Sequence, residues 1–173
     1  MITRRHIKGD APSSAVYSDC ERYRYALTRV WDEGGARVAF ILLNPSTATE
    51  MQNDPTIERC ERRARALGFG AMRVVNIFAW RDTDPRAMRA AGDPVGADND
   101  AAIAEACAWA SRTGADRIVA GWGAHGAHLD RGAAAEAVLR AGGWPVFHLG
   151  RTRDGQPRHP LYIAYSQQPE RWF

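Results

Sequence analysis

The sequence predicts an α/β fold, a three-layer sandwich whose central, mostly parallel four-stranded sheet gains one antiparallel strand near the N-terminus. Residues 40–43 form a wholly apolar run without alternation, which is typical of a strand covered on both faces. Similar runs recur along the chain, and segments with helical spacing of apolar residues separate them. Strands that alternate with helices form parallel sheets with right-handed crossovers, so the pattern indicates one layered domain.

The N-terminal part is predicted to contain a hairpin that leads into the central strand. Residues 1–21 read as a lightly ordered lead-in, and residues 22–173 as a single α/β domain. Residues 22–31 alternate apolar and polar side chains, which is the period of a strand. Gly34 and Gly35 then turn the chain back, so residues 37–43 are expected to pair antiparallel with that strand.

The rest of the chain supplies the alternating helices and strands. Asp54 followed by Pro55 predicts a helix start, with Asp as the N-cap and Pro at the first helical position. That helix is expected to end before Gly68, and residues 81–95 are expected to form a loop with at most a short helical turn. The remaining predicted elements are strands at residues 72–80, 116–123 and 144–149 and helices at residues 98–111 and 129–141.

Length and composition limit the class of protein. A chain of 173 residues with 45% apolar side chains can build one well-buried core. No apolar run approaches the roughly 18 to 20 residues of a membrane span, and no signal-peptide pattern is present, so we expect no membrane partner and a cytoplasmic location. Three scattered cysteines suggest neither disulfides nor a metal site, and no cofactor is predicted.

The charge allows an anionic partner without requiring one. The formal net charge is only +3, and almost all cations are arginines. Arginine binds phosphate well through its planar fork, but modest net charge mainly affects solubility and association.

Polar residues follow the predicted strands at points that would meet on one edge of the sheet. In parallel sheets, ligands bind beyond the carboxyl ends of the strands. The candidate site residues are Asn44 with Pro45, Ser46 and Thr47 after the central strand, Asn76 in the next strand, and Arg158 with His159 in the last loop.

Each of these residues also has a purely structural interpretation. Asn44 and Pro45 are ordinary turn residues, and a loop histidine such as His159 is often held by neighbouring backbone. A buried Asn76 must be hydrogen-bonded, so it either fastens the neighbouring loop or faces the crevice and binds a ligand. The residues alone leave these alternatives open.

The order of motifs resembles a family known as domain of unknown function 1643, a bacterial family without assigned activity. The similarity extends over nearly the whole chain from Tyr23 onward. It rests on the runs Leu-Asn-Pro-Ser-Thr-Ala at residues 43–48, Asn-Asp-Pro-Thr-Ile at 53–57, Val-Asn at 75–76, Asp-Pro at 84–85, Trp-Gly at 122–123 and Pro-Arg-His-Pro-Leu-Tyr at 157–162.

A more distant resemblance is to the uracil-DNA glycosylase superfamily. Asn44-Pro45 is similar to its first motif, Asn76 to the Asn that ends its second strand, and His159-Pro160 to the His-Pro of its last loop; residues 122–125 are similar to its Trp-Gly-x-His run. The chain differs in having Leu42 where the superfamily usually has Gly, and in lacking an aromatic residue in loop 46–56.

This resemblance implies a DNA glycosylase-like hydrolase of N-glycosidic bonds that acts in DNA repair. It assigns Asn44 to positioning water, Asn76 to reading the base and His159 to stabilising the leaving base. Pro45, Ser46, Thr47 and Arg158 would contact the substrate, and the partner would be DNA or a nucleotide. The alternatives are a protein that binds or hydrolyses small nucleotides or nucleobases, with Ser46 and Thr47 holding a phosphate, and a non-catalytic module with a decayed site.

Overall fold

The computed structural model describes all residues from 1 to 173 and has the predicted α/β class. Its single mixed sheet contains eight strands in the order β1-β2-β3-β5-β4-β6-β7-β8, which is more than the five expected. The strands are β1 (Ile2–Lys8), β2 (Ala11–Tyr17), β3 (Arg24–Val30), β4 (Arg37–Leu42), β5 (Ala71–Asn76), β6 (Arg117–Ala120), β7 (Val146–His148) and β8 (Glu170–Arg171).

The central strand β4 pairs in parallel on both sides. It pairs with β5 and with β6, and β6 pairs in parallel with β7. Residues of β4 from Val38 to Leu42 are buried, as expected for a strand covered on both faces. The carboxyl ends of these strands therefore point toward one edge of the sheet, where the loop after Leu43 begins.

The expected hairpin between the first alternating strand and β4 is wrong. β3 pairs antiparallel with β5 instead, with Leu27 opposite Val74, and β5 therefore lies between β3 and β4. Because β4 is apolar on both faces, it is better placed between two parallel strands than next to the more peripheral β3. The glycine turn at residues 34–35 directs the chain across the end of β5, and backbone N–H groups of Trp31 and Asp32 donate to the Gly70 carbonyl.

The N-terminal lead-in is also corrected by the structure. Residues 1–21 include β1 and β2, which form an antiparallel hairpin that extends the sheet through β3. The inward positions of β2 are Ala11, Ser13, Ala15 and Tyr17, all buried. Most of these side chains are small and one is polar, so the segment lacks the clear alternation of apolar and polar residues by which a strand is recognised from sequence.

Four helices cover the sheet, namely α1 (Pro55–Ala66), α2 (Pro85–Ala90), α3 (Asn99–Trp109) and α4 (Arg131–Ala141). Asp54 caps α1 as predicted, because its Oδ1 accepts from the Ile57 N–H at 2.8 Å. The sheet separates two apolar clusters, one that includes residues of α1 and one that includes residues of α3 and α4. None of the helices combines the length and apolar character needed to cross a bilayer.

Arginine side chains of α1 hold the C-terminal segment. Arg63 is 2% exposed and donates to the carbonyls of Ile163, Ala164 and Gln167 at 2.7–3.1 Å. Arg59 donates to the same Ile163 carbonyl at 2.6 Å. Part of the basic surface of α1 thus serves internal packing.

We expect Arg63→Ala to lower the free energy of unfolding by roughly 2 to 4 kcal/mol, because three carbonyls of the C-terminal segment, including that of the buried Ile163, would lose this donor. Urea denaturation measures this difference. The matched control is Arg62→Ala, which removes an exposed ion pair with Glu58 and should cost about 0.5 kcal/mol or less. Equal effects of the two substitutions would show that the Arg63 hydrogen bonds do not stabilise the fold.

The thiols provide a second test. Cys20 is exposed, whereas Cys60 and Cys107 are buried, and burial raises the pKa of both buried thiols, that of Cys107 to about 12. Because the thiolate is the reactive form, a thiol reagent should modify Cys20 alone in the native protein and all three cysteines in denaturant. Mass spectrometry after labelling measures this, and rapid native labelling of Cys60 would contradict the packing of α1.

Candidate functional site

A cavity of about 550 Å³ opens at the carboxyl edge of the parallel strands. This size is typical of sites for small ligands. Its lining includes Asn44, Ser46, Arg158 and His159. The structure therefore brings together four of the seven predicted site residues, drawn from the loop after β4 and from the loop after β7.

Asn44 is half-buried and held in one orientation. Its Nδ2 donates to the Asp82 carbonyl at 2.8 Å and to the Pro45 carbonyl at 3.1 Å. The side-chain Oδ1 makes no hydrogen bond within the protein and is not among the buried, unpartnered atoms. Asn44 thus offers the cavity a fixed acceptor.

The loop that follows Asn44 is fixed by two buried arginines of β3. Arg24 donates to the Ala48 carbonyl at 2.6 Å, and Arg29 donates to the Thr49 carbonyl at 2.6 Å. Arg29 also binds Asn53 through its Oδ1 at 3.1 Å. Burial lowers the pKa of Arg24 to about 10, so its guanidinium still carries its charge at neutral pH. Both arginines donate hydrogen bonds to backbone carbonyls of this loop. These bonds restrain the loop that forms part of the cavity wall.

His159 is a neutral histidine with a defined tautomer. Its pKa is lowered to about 4, chiefly because burial disfavours the imidazolium; the Asp54 carboxylate opposes this shift and His125 adds to it. The Leu161 N–H donates to Nδ1 at 3.4 Å, a long contact that nonetheless assigns the proton to Nε2. Nε2 has no hydrogen-bond partner in the protein and is not among the buried, unpartnered atoms. His159 therefore offers a neutral N–H donor to the cavity.

Two carboxylates that were not predicted as site residues also line the cavity, those of Asp54 and Asp82. Asp54 is 8% exposed and accepts from the Ile57 and Ala48 N–H groups, so it both caps α1 and closes the loop. A signal for it was present, because a helix that follows a parallel strand begins at the edge where ligands bind. No group of three or more His, Cys, Asp or Glu side chains is arranged to hold a metal ion.

The rim carries an exposed cation and an exposed aromatic ring. Arg158 is exposed, and its guanidinium makes neither a hydrogen bond nor an ion pair with the protein. Tyr162, in the 3-10 turn Pro160–Tyr162, is 82% exposed and lines the cavity. Tyr162 could not be recognised as a site residue from the sequence, because exposure of an aromatic side chain depends on tertiary packing.

The structure does not place Asn76 in this lining. Asn76 pairs in register with Leu42, two residues before Asn44, and β5 continues hydrogen bonding to β4 beyond it through Ile77 and Phe78. The side chain is 2% exposed, and its Oδ1 is buried without a partner. Asn76 therefore does not share the crevice of Asn44 and His159, because it lies opposite Leu42 and backbone pairing with the β4 segment continues past it.

The other two predicted residues lie beside the cavity. Pro45 is buried, and its carbonyl accepts from the Asp82 N–H at 2.9 Å in addition to Asn44. Thr47 is exposed and lines a neighbouring cavity. Pro45 thus connects the loop after β4 with the loop after β5.

The pKa of His159 predicts how stability depends on pH. The folded pKa of about 4 lies below the ordinary value of 6.5, so the unfolded chain binds more protons between these values. The free energy of unfolding should therefore fall as pH drops from about 6.5 toward 4, and His159→Asn, which keeps an acceptor for Leu161, should reduce this slope. Urea denaturation at several pH values measures it. His6→Asn, an exposed site on β1, is the control, and an unchanged slope in His159→Asn would contradict the burial of a neutral imidazole.

Comparison with known proteins identifies the family and nothing more specific. No curated protein and no solved structure matches the chain. The model of the family described as "Protein of unknown function (DUF1643)" matches residues 24–161, from the start of β3 to the turn after His159. This range holds both loops that build the cavity, and over most of its length the chain belongs to the DUF1643 family.

Proposed function

We propose that this protein hydrolyses an N-glycosidic bond in a nucleobase-containing substrate, with the reaction taking place in the cavity that contains Asn44 and His159. One observation carries the proposal: a neutral imidazole donor and a fixed amide acceptor line the same cavity at the carboxyl edge of the sheet. Cleavage of a base from a sugar needs both kinds of group, because negative charge develops on the base while water attacks the sugar.

His159 would receive the charge that develops on the leaving base. Its Nε2–H can donate to a carbonyl oxygen or ring nitrogen of the base, and the donation strengthens as that atom becomes negative. The depressed pKa favours this role, since a neutral ring stabilises the anion without protonating the base first. The Leu161 N–H maintains the tautomer that the role requires.

Asn44 would position the attacking water through its Oδ1. Its Nδ2 is already bound to the Asp82 and Pro45 carbonyls, so the amide cannot rotate freely. An amide oxygen is a poor proton acceptor, which suits a reaction in which the bond to the base breaks ahead of water attack. The uracil-DNA glycosylase superfamily, which the motif order resembles, supports the same assignment of Asn44 and His159.

Base recognition is assigned to groups that line the cavity rather than to Asn76. The Thr56 hydroxyl, at the start of α1, has no hydrogen-bond partner in the protein and lines the cavity. Arg158 lies at the rim with a free guanidinium and is suited to an anionic part of the substrate. Tyr162 offers an exposed ring on which a planar base can stack.

A second candidate differs in the substrate and not in the chemistry. The cavity contains two carboxylates, Asp54 and Asp82, and one arginine, Arg158. With two carboxylates and one arginine, the cavity is less favourable for binding the DNA backbone than a basic groove would be. This charge distribution favours a free nucleoside or nucleotide as the substrate. Salt dependence separates the two substrates, because DNA binding weakens steeply with salt, with a slope of about −0.9 per phosphate contact.

The test is a screen for base release followed by substitution. Oligonucleotides containing uracil, hypoxanthine or mismatches are assayed beside free nucleosides and nucleotides, and released base is measured by chromatography. His159→Asn and Asn44→Ala should each lower the rate on the active substrate by about 10² to 10³, because a charge-receiving donor or a water ligand is lost. His6→Asn should retain the wild-type rate.

Unfolding transitions of both variants show whether a loss of rate reflects the site or the fold. Full activity of folded His159→Asn would contradict the assigned role. Absence of base release from every substrate class would overturn the proposed reaction and favour a non-catalytic binding module.

A further inference from the structure

A second cavity adjoins the candidate site and shares part of its wall. It measures about 660 Å³, and the two cavities have Ser46, Asp82 and Thr83 in common. The remaining lining residues are Glu21, Arg22, Thr47, Gln52, Trp80 and Arg81. The two cavities are therefore neighbours, and a ligand that occupied both would cross at Ser46.

The second cavity contains several hydrogen-bond donors without partners. The Arg22 guanidinium forms no hydrogen bond, ion pair or cation–π contact with the protein, and the hydroxyls of Ser46 and Thr47 are also free of intramolecular hydrogen bonds. Arg22 is exposed, so its guanidinium is accessible to a ligand that enters the cavity. Two hydroxyls and a free guanidinium around one space are the groups that bind the oxygens of a phosphate.

Arg81 adds a fixed positive charge to the same wall. Its Nη1 donates to the Glu21 carbonyl at 2.9 Å, and its guanidinium lies 4.9 Å from the centre of the Tyr17 ring. The Nε of Arg81 is buried and has no partner in the protein. Arg81 is therefore held in place by contacts that leave its charge without a carboxylate partner.

The two acidic residues of this cavity are already engaged. The Glu21 carboxylate forms an ion pair with Arg4, and Oδ1 of Asp82 accepts from the Asp84 N–H at 2.9 Å. Asp82 also lies in the wall shared with the first cavity. Two arginines, Arg22 and Arg81, therefore face one carboxylate without an ion pair, that of Asp82, so the charge of the lining is positive on balance.

We infer that the second cavity is a phosphate subsite, formed by Arg22, Arg81, Ser46 and Thr47, for a phosphate attached to the sugar of the substrate. This inference rests on the proposed function for the position of the base and the sugar, which would occupy the first cavity. The phosphate group is a monoester of a free nucleotide or a diester of a nucleic acid strand, and both present the same oxygens to these donors.

Binding measurements test the subsite without requiring catalysis. Inorganic phosphate is titrated into the protein and followed by amide NMR, where the Ser46, Thr47 and Arg81 signals should shift. Nucleosides and their 5′-monophosphates are then compared by calorimetry. Charge-assisted hydrogen bonds should make the preferred monophosphate bind about 10- to 100-fold more tightly than its nucleoside.

Arg22→Gln is the main variant, because Arg22 makes no contact that the fold requires. It should remove most of the gain that the 5′-phosphate provides and weaken inorganic phosphate binding by a similar factor, while nucleoside affinity stays unchanged. Arg89→Gln, an exposed arginine of α2 outside both cavities, is the control and should behave like the wild type.

A short single-stranded oligonucleotide distinguishes the two sources of phosphate. Tighter binding of the oligonucleotide than of the monophosphate, with strong salt dependence, would support a strand, and the reverse order would support a free nucleotide. Nucleoside binding with no gain from the phosphate would overturn the subsite and leave the proposed function standing. Phosphate shifts that Arg22→Gln abolishes, in a protein that binds no nucleoside, would support the subsite and count against the proposed function. An unchanged phosphate titration in Arg22→Gln would overturn the inference.

Discussion

The hydrogen bonds from the two buried arginines of β3 to backbone carbonyls are the interaction on which the candidate site depends. Arg24 and Arg29 are 1% and 0% exposed, and the carbonyls they bind belong to the loop between β4 and α1. Burial of a guanidinium without a hydrogen-bond partner costs free energy. Movement of the loop away from β3 would leave these two guanidinium groups without their acceptors and is therefore unfavourable. Asn44 and Asp54 lie at the two ends of this loop, and their positions follow from its restraint.

The same pairing of buried arginine with backbone carbonyl recurs in two other parts of the molecule. Arg63 of α1 binds the carbonyls of the segment before β8, and Arg131 of α4 donates to the Ile77 carbonyl at 2.6 Å beyond the end of β5. Arginine suits this purpose, because its planar fork directs several donors at once. Much of the arginine content is therefore structural, which explains why a basic composition accompanies a cavity lined by carboxylates.

The cavity combines restrained groups with free ones. Asn44 and His159 each have one side of the side chain bound to backbone and the other side open, so their orientation is set before any ligand arrives. Preorganised polar groups of this kind cost little reorganisation when a substrate binds or when charge develops. Arg158, Tyr162 and Arg22 have no such restraint, and they lie where the distal parts of a substrate would be held. This division matches the proposed function, with chemistry at the restrained groups and substrate binding at the unrestrained ones.

The sequence by itself determined the α/β class, the strand β4 and the residues that follow it, because an apolar run that ends in Asn-Pro and a helix capped by Asp54 and Pro55 are local patterns. It also allowed Asn44, Ser46, Arg158 and His159 to be predicted as cavity residues, because residues beyond the carboxyl ends of parallel strands meet at one edge of the sheet. It missed the strand β2, whose inward alanines and serine carry no clear apolar signal. It also predicted the wrong neighbour for β3.

Only the tertiary structure decided the depth of each strand and the partners of each charge. The register of β5 with β4 placed Asn76 opposite Leu42 with its side chain buried, whereas Asn44 lies two residues beyond Leu42 and lines the cavity. Exposure of Tyr162, burial of Arg63 and the free guanidinium of Arg22 likewise depend on segments far apart in the chain. Local patterns report what a residue prefers, whereas register and burial follow from packing of the whole chain, and for this reason the contacts of these residues were not predictable.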